Sequence, residues 1–154
     1  MRVRDIMVRD LVTIGEDESL ETAARRMLDK RIGCLVVTSA GGKLSGIVTE
    51  SDFTGKERGF PFSAYSAPNV LGDWIGADGI EGIYAAARDR KVRDIMTRRV
   101  ITASEDEPLT DLAVRMIEKG LHRIPVVRDG RAVGIVTRRD LLKAMVKAAR
   151  VVEE

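Results

Sequence analysis

Cysteine is nearly absent from this chain. Cys34 alone occurs in 154 residues, which excludes an intramolecular disulfide, a thiolate zinc cluster and a CxxC redox pair. No apolar run approaches the roughly 20 residues a membrane span needs. The opening MRVRDIMVRD is too charged for a secretory leader. Proline occurs four times, and no low-complexity stretch appears. Apolar residues at 44% and charged residues at 32% describe a globular chain. The expectation is a soluble, cytoplasmic protein. No nucleophile–base pair, metal cluster or paired acid and base carboxylates stands out, so no enzyme is expected and no catalytic or metal residue is assigned.

Excess charge is also missing: 26 basic residues face 24 acidic ones. The halves differ, however. Residues 1–90 carry 12 Lys/Arg against 14 Asp/Glu, and residues 91–154 carry 14 against 10. The basic second half suits an anionic ligand, although solvated helix faces give the same count.

What the chain does contain is a duplication. VRDIMVRDLVTI (3–14) and VRDIMTRRVITA (92–103) share seven of twelve positions at an offset of 89. The likeness continues through EDESLETAARRMLDK (16–30) and EDEPLTDLAVRMIEK (105–119). Pairing CLVV (34–37) with IPVV (124–127) moves the offset to 90, and GIVTESDF (46–53) with GIVTRRDL (134–141) moves it to 88. Each copy reads as a short strand (Val12–Ile14, Val100–Thr102), a helix, a hairpin of two strands and a second helix starting after Thr49 or Thr137. Leu20, Ala23, Ala24, Met27 and Leu28 form one apolar helical face, and Leu109, Leu112, Ala113, Met116 and Ile117 repeat it. Met7, Met27, Met96 and Met116 are expected in the core, and Cys34 as a buried thiol. Gly41, Gly42 and Gly130 sit between strands and read as hairpin turns, not phosphate loops.

Between the copies, residues 58–80 carry only three charges, and all six aromatics lie between 53 and 84. A solvated linker is polar, so this segment is expected to pack against the pair or a second subunit, Trp74 included. Asp78 and Glu81 suit a capping box before a connecting helix with Ile80, Ile83, Tyr84 and Ala87 inward. The division is repeat 1 at 1–57, insert and connecting helix at 58–90, and repeat 2 at 91–154.

A tandem β-α-β-β-α unit that opens VxDIM and closes G-I-V-T-x-x-D resembles the CBS domain, here as a stand-alone pair (a Bateman module). The resemblance implies an α/β (α+β) fold with two repeats packed about a pseudo-twofold axis. It implies clefts between them that bind AMP, ADP, ATP or S-adenosylmethionine, and a regulatory homodimer that signals to a further protein. Carried over, Asp52 and Asp140 meet the ribose, Thr49 and Thr137 lie near phosphate, and Thr13 and Thr102 line the clefts. His122 and Arg123 of HRIPVV would reach phosphates in the cleft anchored by Asp52. The first copy departs there, with Ile32 and Gly33 in those places and Leu35 for Pro125. The Asp140 cleft would then take its charge from Arg138 and Arg139, with Lys30 or Arg31, while Glu50 would repel phosphate in the other.

Plainer readings stand beside these. Asp52 and Asp140 also suit helix starts, and Arg138, Arg139 and His122 suit a solvated surface. Two other functions remain open at this point. One is nucleic-acid binding through Arg98, Arg99, Arg123, Arg128, Arg131, Arg138 and Arg139, and the other is a structural dimerisation module with no ligand.

Overall fold

The computed structural model describes residues 1–54, 88 and 90–152. The aromatic insert, its capping box and its connecting helix lie outside the described residues. In chain order the elements are β1 (Thr13–Gly15), α1 (Leu20–Lys30), β2 (Cys34–Thr38), β3 (Leu44–Thr49), α2 (Glu50–Thr54), α3 (Val92–Ile95), α4 (Leu109–Glu118), β4 (Arg123–Arg128), β5 (Arg131–Thr137) and α5 (Arg138–Val152), with a 3-10 turn at Val3–Asp5. The α/β class follows the duplication; the β-α-β-β-α order is complete in the first copy, and the second copy lacks its opening strand.

The chain divides into two compact units that cut across the repeats. One holds Met1–Leu11, Gly42–Leu44 and Arg99–Glu154, and the other Val12–Gly41 and Ser45–Arg98. The reason is the VRDIM segment, which completes the core of the opposite copy. Val92, Ile95 and Met96 are buried with Ile14, Leu20, Met27, Leu35 and Val48. Val3 and Met7 are buried with Leu112, Met116, Ile124 and Val136. All four repeated methionines are therefore core residues, as expected.

The same clasp holds each VRDIM segment. In one unit Val3 N–H donates to the Glu107 carbonyl (3.0 Å) and Arg4 N–H to that of Glu105 (3.0 Å). Arg4 also pairs with Asp106 at 2.5 Å. In the other, Val92 N–H donates to Glu18 (2.9 Å) and Arg93 N–H to Glu16 (3.0 Å), while Arg93 pairs with Asp17. The repeated EDE triplet is thus a backbone acceptor loop with a carboxylate for an arginine. Glycine in G-I-V-T serves the same packing. A Cβ on Gly46 would lie 2.7 Å from Met96 Sδ, and one on Gly134 2.7 Å from Met7 Sδ.

Hydrogen bonds also fix the equivalence of the copies, and they correct the pairing of CLVV with IPVV. Ile14 pairs with Val37 in parallel, and Ala103 with Val126, an offset of 89 on both sides. Arg31 (φ 52°) and Gly120 (φ 63°) end the two helices in the left-handed region at the same offset. So Gly33 and Cys34 stand where His122 and Arg123 do, and Val36 stands where Pro125 does. The offset changes once, in the hairpin turn, to 88. A slip of one residue would have put every side chain on the wrong face.

That register explains why no strand forms at Val100–Thr102. Val36 N–H donates to the Val12 carbonyl (3.3 Å), but Pro125, in its place, has no N–H to give. Only Ala103 is held, donating to the Pro125 carbonyl (3.0 Å) and accepting from Val127 N–H (2.9 Å). Two helix-face expectations also need correction. Leu28 and Ile117 are 77% and 76% exposed, because the core takes only the narrower stripe through Met27 and Met116. Cys34 is half-buried, since it opens β2 at its edge. Gly42 and Gly130 adopt positive φ (78° and 75°) in hairpin turns, as their place between strands requires.

Candidate functional site

The two Thr-x-x-Asp motifs fold alike because each bridges a strand end and a helix start. In the unit holding β5 and α5, Asp140 is 8% exposed and is the one buried charged side chain among the described residues. Its Oδ2 accepts from Thr137 N–H (2.9 Å) and from Thr137 Oγ1–H (2.7 Å). Asp140 N–H donates back to Thr137 Oγ1 (3.4 Å). This is a reciprocal capping box, which fixes the helix start. Among the described residues, Oδ1 receives no hydrogen bond and remains an acceptor.

Arg138 follows directly. Its N–H donates to the His122 carbonyl (3.1 Å) and its Nε to the Leu121 carbonyl (2.8 Å). The helix start is thereby tied to the entry of β4, where His122 is exposed and Arg123 half-buried. Arg139 is exposed on α5, beside Lys143 and Leu142. Thr102, Thr137, Asp140, Arg138, His122 and Arg123 all belong to this unit. Hydrogen bonds join Thr137 to Asp140 and Arg138 to His122. It gives Thr102 a half-buried place next to Ala103.

In the other unit Asp52 Oδ2 accepts from Thr49 N–H (2.8 Å) and Thr49 Oγ1–H (3.3 Å). Glu50 N–H donates to the Gly33 carbonyl (3.1 Å), the counterpart of Arg138 to His122. Thr13 is exposed in β1, and its carbonyl accepts from Arg26 Nη1 (2.7 Å). The capping geometry is shared, but the charge is reversed. Arg138, Arg139, His122 and Arg123 mark one motif, against Glu50, Ser51, Gly33 and Cys34 at the other.

Elsewhere in the first unit, Glu105 is a charge hub that the sequence reading did not single out. Its carboxylate accepts from Arg128 Nε (2.6 Å) and from Arg9 (3.3 Å). The Arg128 hydrogen bond, above all, holds its pKa below the usual glutamate value, with Arg9 adding to the effect. Arg128 is therefore committed, as is Arg98, which donates to the Arg93 carbonyl (3.1 Å). Two of the seven arginines that favoured a nucleic-acid surface, Arg98 and Arg128, thus already have protein partners. Among the described residues no group of His, Cys, Asp and Glu could hold a metal ion. No described helix is long and apolar enough to cross a membrane.

The family model described as CBS domain matches residues 3–58 and 92–147. The chain belongs to the CBS-domain family. This CBS pair is similar to the CBS domain of a CBS domain-containing membrane protein from Sphaerobacter thermophilus. That structure has a TM-score of 0.77 and 42% identity, over 93% of this chain and 86% of that one. It is also similar to the CBS domain pair of protein MJ0100, solved in complex with 5-methylthioadenosine and S-adenosyl-L-methionine. There the TM-score is 0.67 and identity 27%, over 96% of this chain and 98% of that one. Among curated proteins, the homoserine O-acetyltransferase of Methanohalobium evestigatum is 31% identical over 140 residues. The match takes in 90% of this CBS pair and 23% of that enzyme.

Proposed function

We propose that this CBS pair is a regulatory module that binds an adenosyl ligand, with the ribose hydroxyls at the free oxygen of Asp140. The observation that carries this reading is the division of labour within one buried carboxylate. Oδ2 is spent on Thr137 and the start of α5, so the carboxylate is held in place while Oδ1 stays available. A fixed anionic acceptor suits a sugar hydroxyl, since charge-assisted hydrogen bonds are the stronger kind. The bound methylthioadenosine and S-adenosylmethionine of the MJ0100 pair support the ligand class. Thr49 and Asp52 are the corresponding pair in the other unit, with Thr13 and Thr102 as cleft-lining residues.

Within that class, a phosphate-bearing ligand (AMP, ADP or ATP) is favoured at the Asp140 motif. Arg138 and Arg139 supply cations there, and the start of α5 favours an anion. In this reading the protein acts as a homodimer without chemistry of its own. A partner protein senses the ligand because the ligand binds two conformations unequally. Calorimetric titration with AMP and adenosine tests the phosphate assignment. AMP should bind about tenfold tighter or more, the worth of one charge-assisted bond. Equal affinities would exclude a role for those cations and leave S-adenosylmethionine as the first candidate.

A further inference from the structure

We infer that the unit containing β4 and β5 carries a docking face for an acidic segment of a partner protein, built on Arg9 and Arg128. Glu105 holds both arginines. Its side chain is 13% exposed, while theirs are 58% and 60% exposed. Arg128 donates from Nε to Oε2 (2.6 Å) and pairs with the same oxygen through Nη2. Arg9 donates from Nη1 to Oε1 (3.3 Å). Among the described residues, Nη1 of Arg128 and both Nε and Nη2 of Arg9 have no hydrogen-bond partner. One shielded carboxylate thus orients two exposed guanidinium groups without neutralising both. Arg131 is the register partner of Arg128 across the β4–β5 hairpin, and its Nη1 lies against Gly42. Lys43 lies along Gly130, whose carbonyl accepts from Leu44 N–H (2.9 Å). Arg9, Lys43, Glu105, Arg128 and Arg131 all belong to one unit. Lys43 and Arg131 are exposed, and among the described residues neither forms an ion pair. Val8, beside Arg9, adds exposed apolar surface.

The duplicated copy shows that the fold does not require this cluster. Arg98, Glu16 and Ser39 stand where Arg9, Glu105 and Arg128 do. Arg98 donates to the Arg93 carbonyl instead (3.1 Å), and Glu16 takes part in no ion pair among the described residues. A protein partner fits the face better than a nucleic acid. Asp10 and Asp129 are exposed next to Arg9 and Arg128 in the chain. A phosphate backbone is charged along its whole length and would meet them. A peptide can set carboxylates against the arginines and neutral groups against the aspartates. That this partner is the one sensing the ligand rests on the regulatory reading above; the face itself uses no residue of either Thr-x-x-Asp motif.

Titration of the full chain with the end-blocked peptide Glu-Glu-Leu-Glu-Glu, read by amide NMR, tests the face. Saturable shifts are expected at residues 8–10, 43 and 128–131, weakening as salt rises, and absent with Gln-Gln-Leu-Gln-Gln. Arg9→Gln and Arg128→Gln should each lower affinity about threefold or more, in the range of an exposed ion pair. Arg98→Gln, which removes the same charge elsewhere, should leave it unchanged. Glu105→Ala should also weaken binding, although it makes the face more positive, because the arginines lose their common anchor. Asp140→Asn should leave peptide binding intact, so failure of the adenosyl assignment and failure of the docking face are told apart. Four results would each overturn the proposal: no saturable shift at those residues, unaltered affinity in both arginine variants, tighter binding by Glu105→Ala, or tighter binding of a single-stranded oligonucleotide of the same charge.

Discussion

Gly134 has no room for a methyl group. A Cβ there would meet Met7 Sδ at 2.7 Å and the Val8 carbonyl at 3.2 Å, and Gly46 meets Met96 and Thr97 in the same way. Gly134→Ala and Gly46→Ala should each destabilise the fold by about 1–3 kcal/mol, the ordinary cost of overpacking, measured by urea denaturation. A loss below the error of that measurement would mean that VRDIM is not held against the strand as described. Glu105 makes a second prediction at this scale. Its pKa is lowered in the folded state, so its contribution to stability is full above its unfolded value. That contribution is lost as pH falls through the folded value. Glu105→Gln should therefore be less stable than the parent at neutral pH, with the gap closing toward strong acid. A gap independent of pH would show that the Arg128 and Arg9 interactions contribute nothing through ionisation.

Among the elements, Pro125 shapes the second unit most. Without its N–H, the stretch before Ala103 cannot pair with β4 as β1 pairs with β2. Pro125→Val should supply the missing donor to the Ile101 carbonyl, and the new amide should exchange slowly with solvent. Fast exchange at position 125 would show that something other than proline prevents the strand. The sequence made both helices and both hairpins legible, because apolar spacing and glycine turns are local signals. It did not reveal the one-residue register, since CLVV and IPVV are apolar throughout and align at either offset. Only the pairing of Ile14 with Val37 and of Ala103 with Val126 decides it. Leu28 and Ile117 misled for a related reason, because an apolar stripe marks a helix face without saying how much of it the core can cover.

For the molecule as a whole, the duplication announces two equivalent sites, yet the two motifs keep one cap geometry with opposite charge around it. Thr-x-x-Asp was legible as a motif. That one oxygen of each carboxylate caps its own helix was not, because a cap and a ribose contact call for the same residue. The plain reading of Asp140 holds, since Oδ2 caps the helix, and it leaves Oδ1 for the ligand contact proposed above. Asp140→Asn separates them, since an amide oxygen can still accept from Thr137 N–H while the negative charge is gone. The decisive measurement is calorimetric titration of the parent and of Asp140→Asn with AMP, ATP and S-adenosylmethionine, alongside their melting temperatures. The variant is expected to melt within a few degrees of the parent and to lose about tenfold or more in affinity for the ligand the parent binds best. Undiminished affinity for every adenosyl ligand in Asp140→Asn, with the fold intact, would contradict the assignment of the Asp140 carboxylate to the ribose.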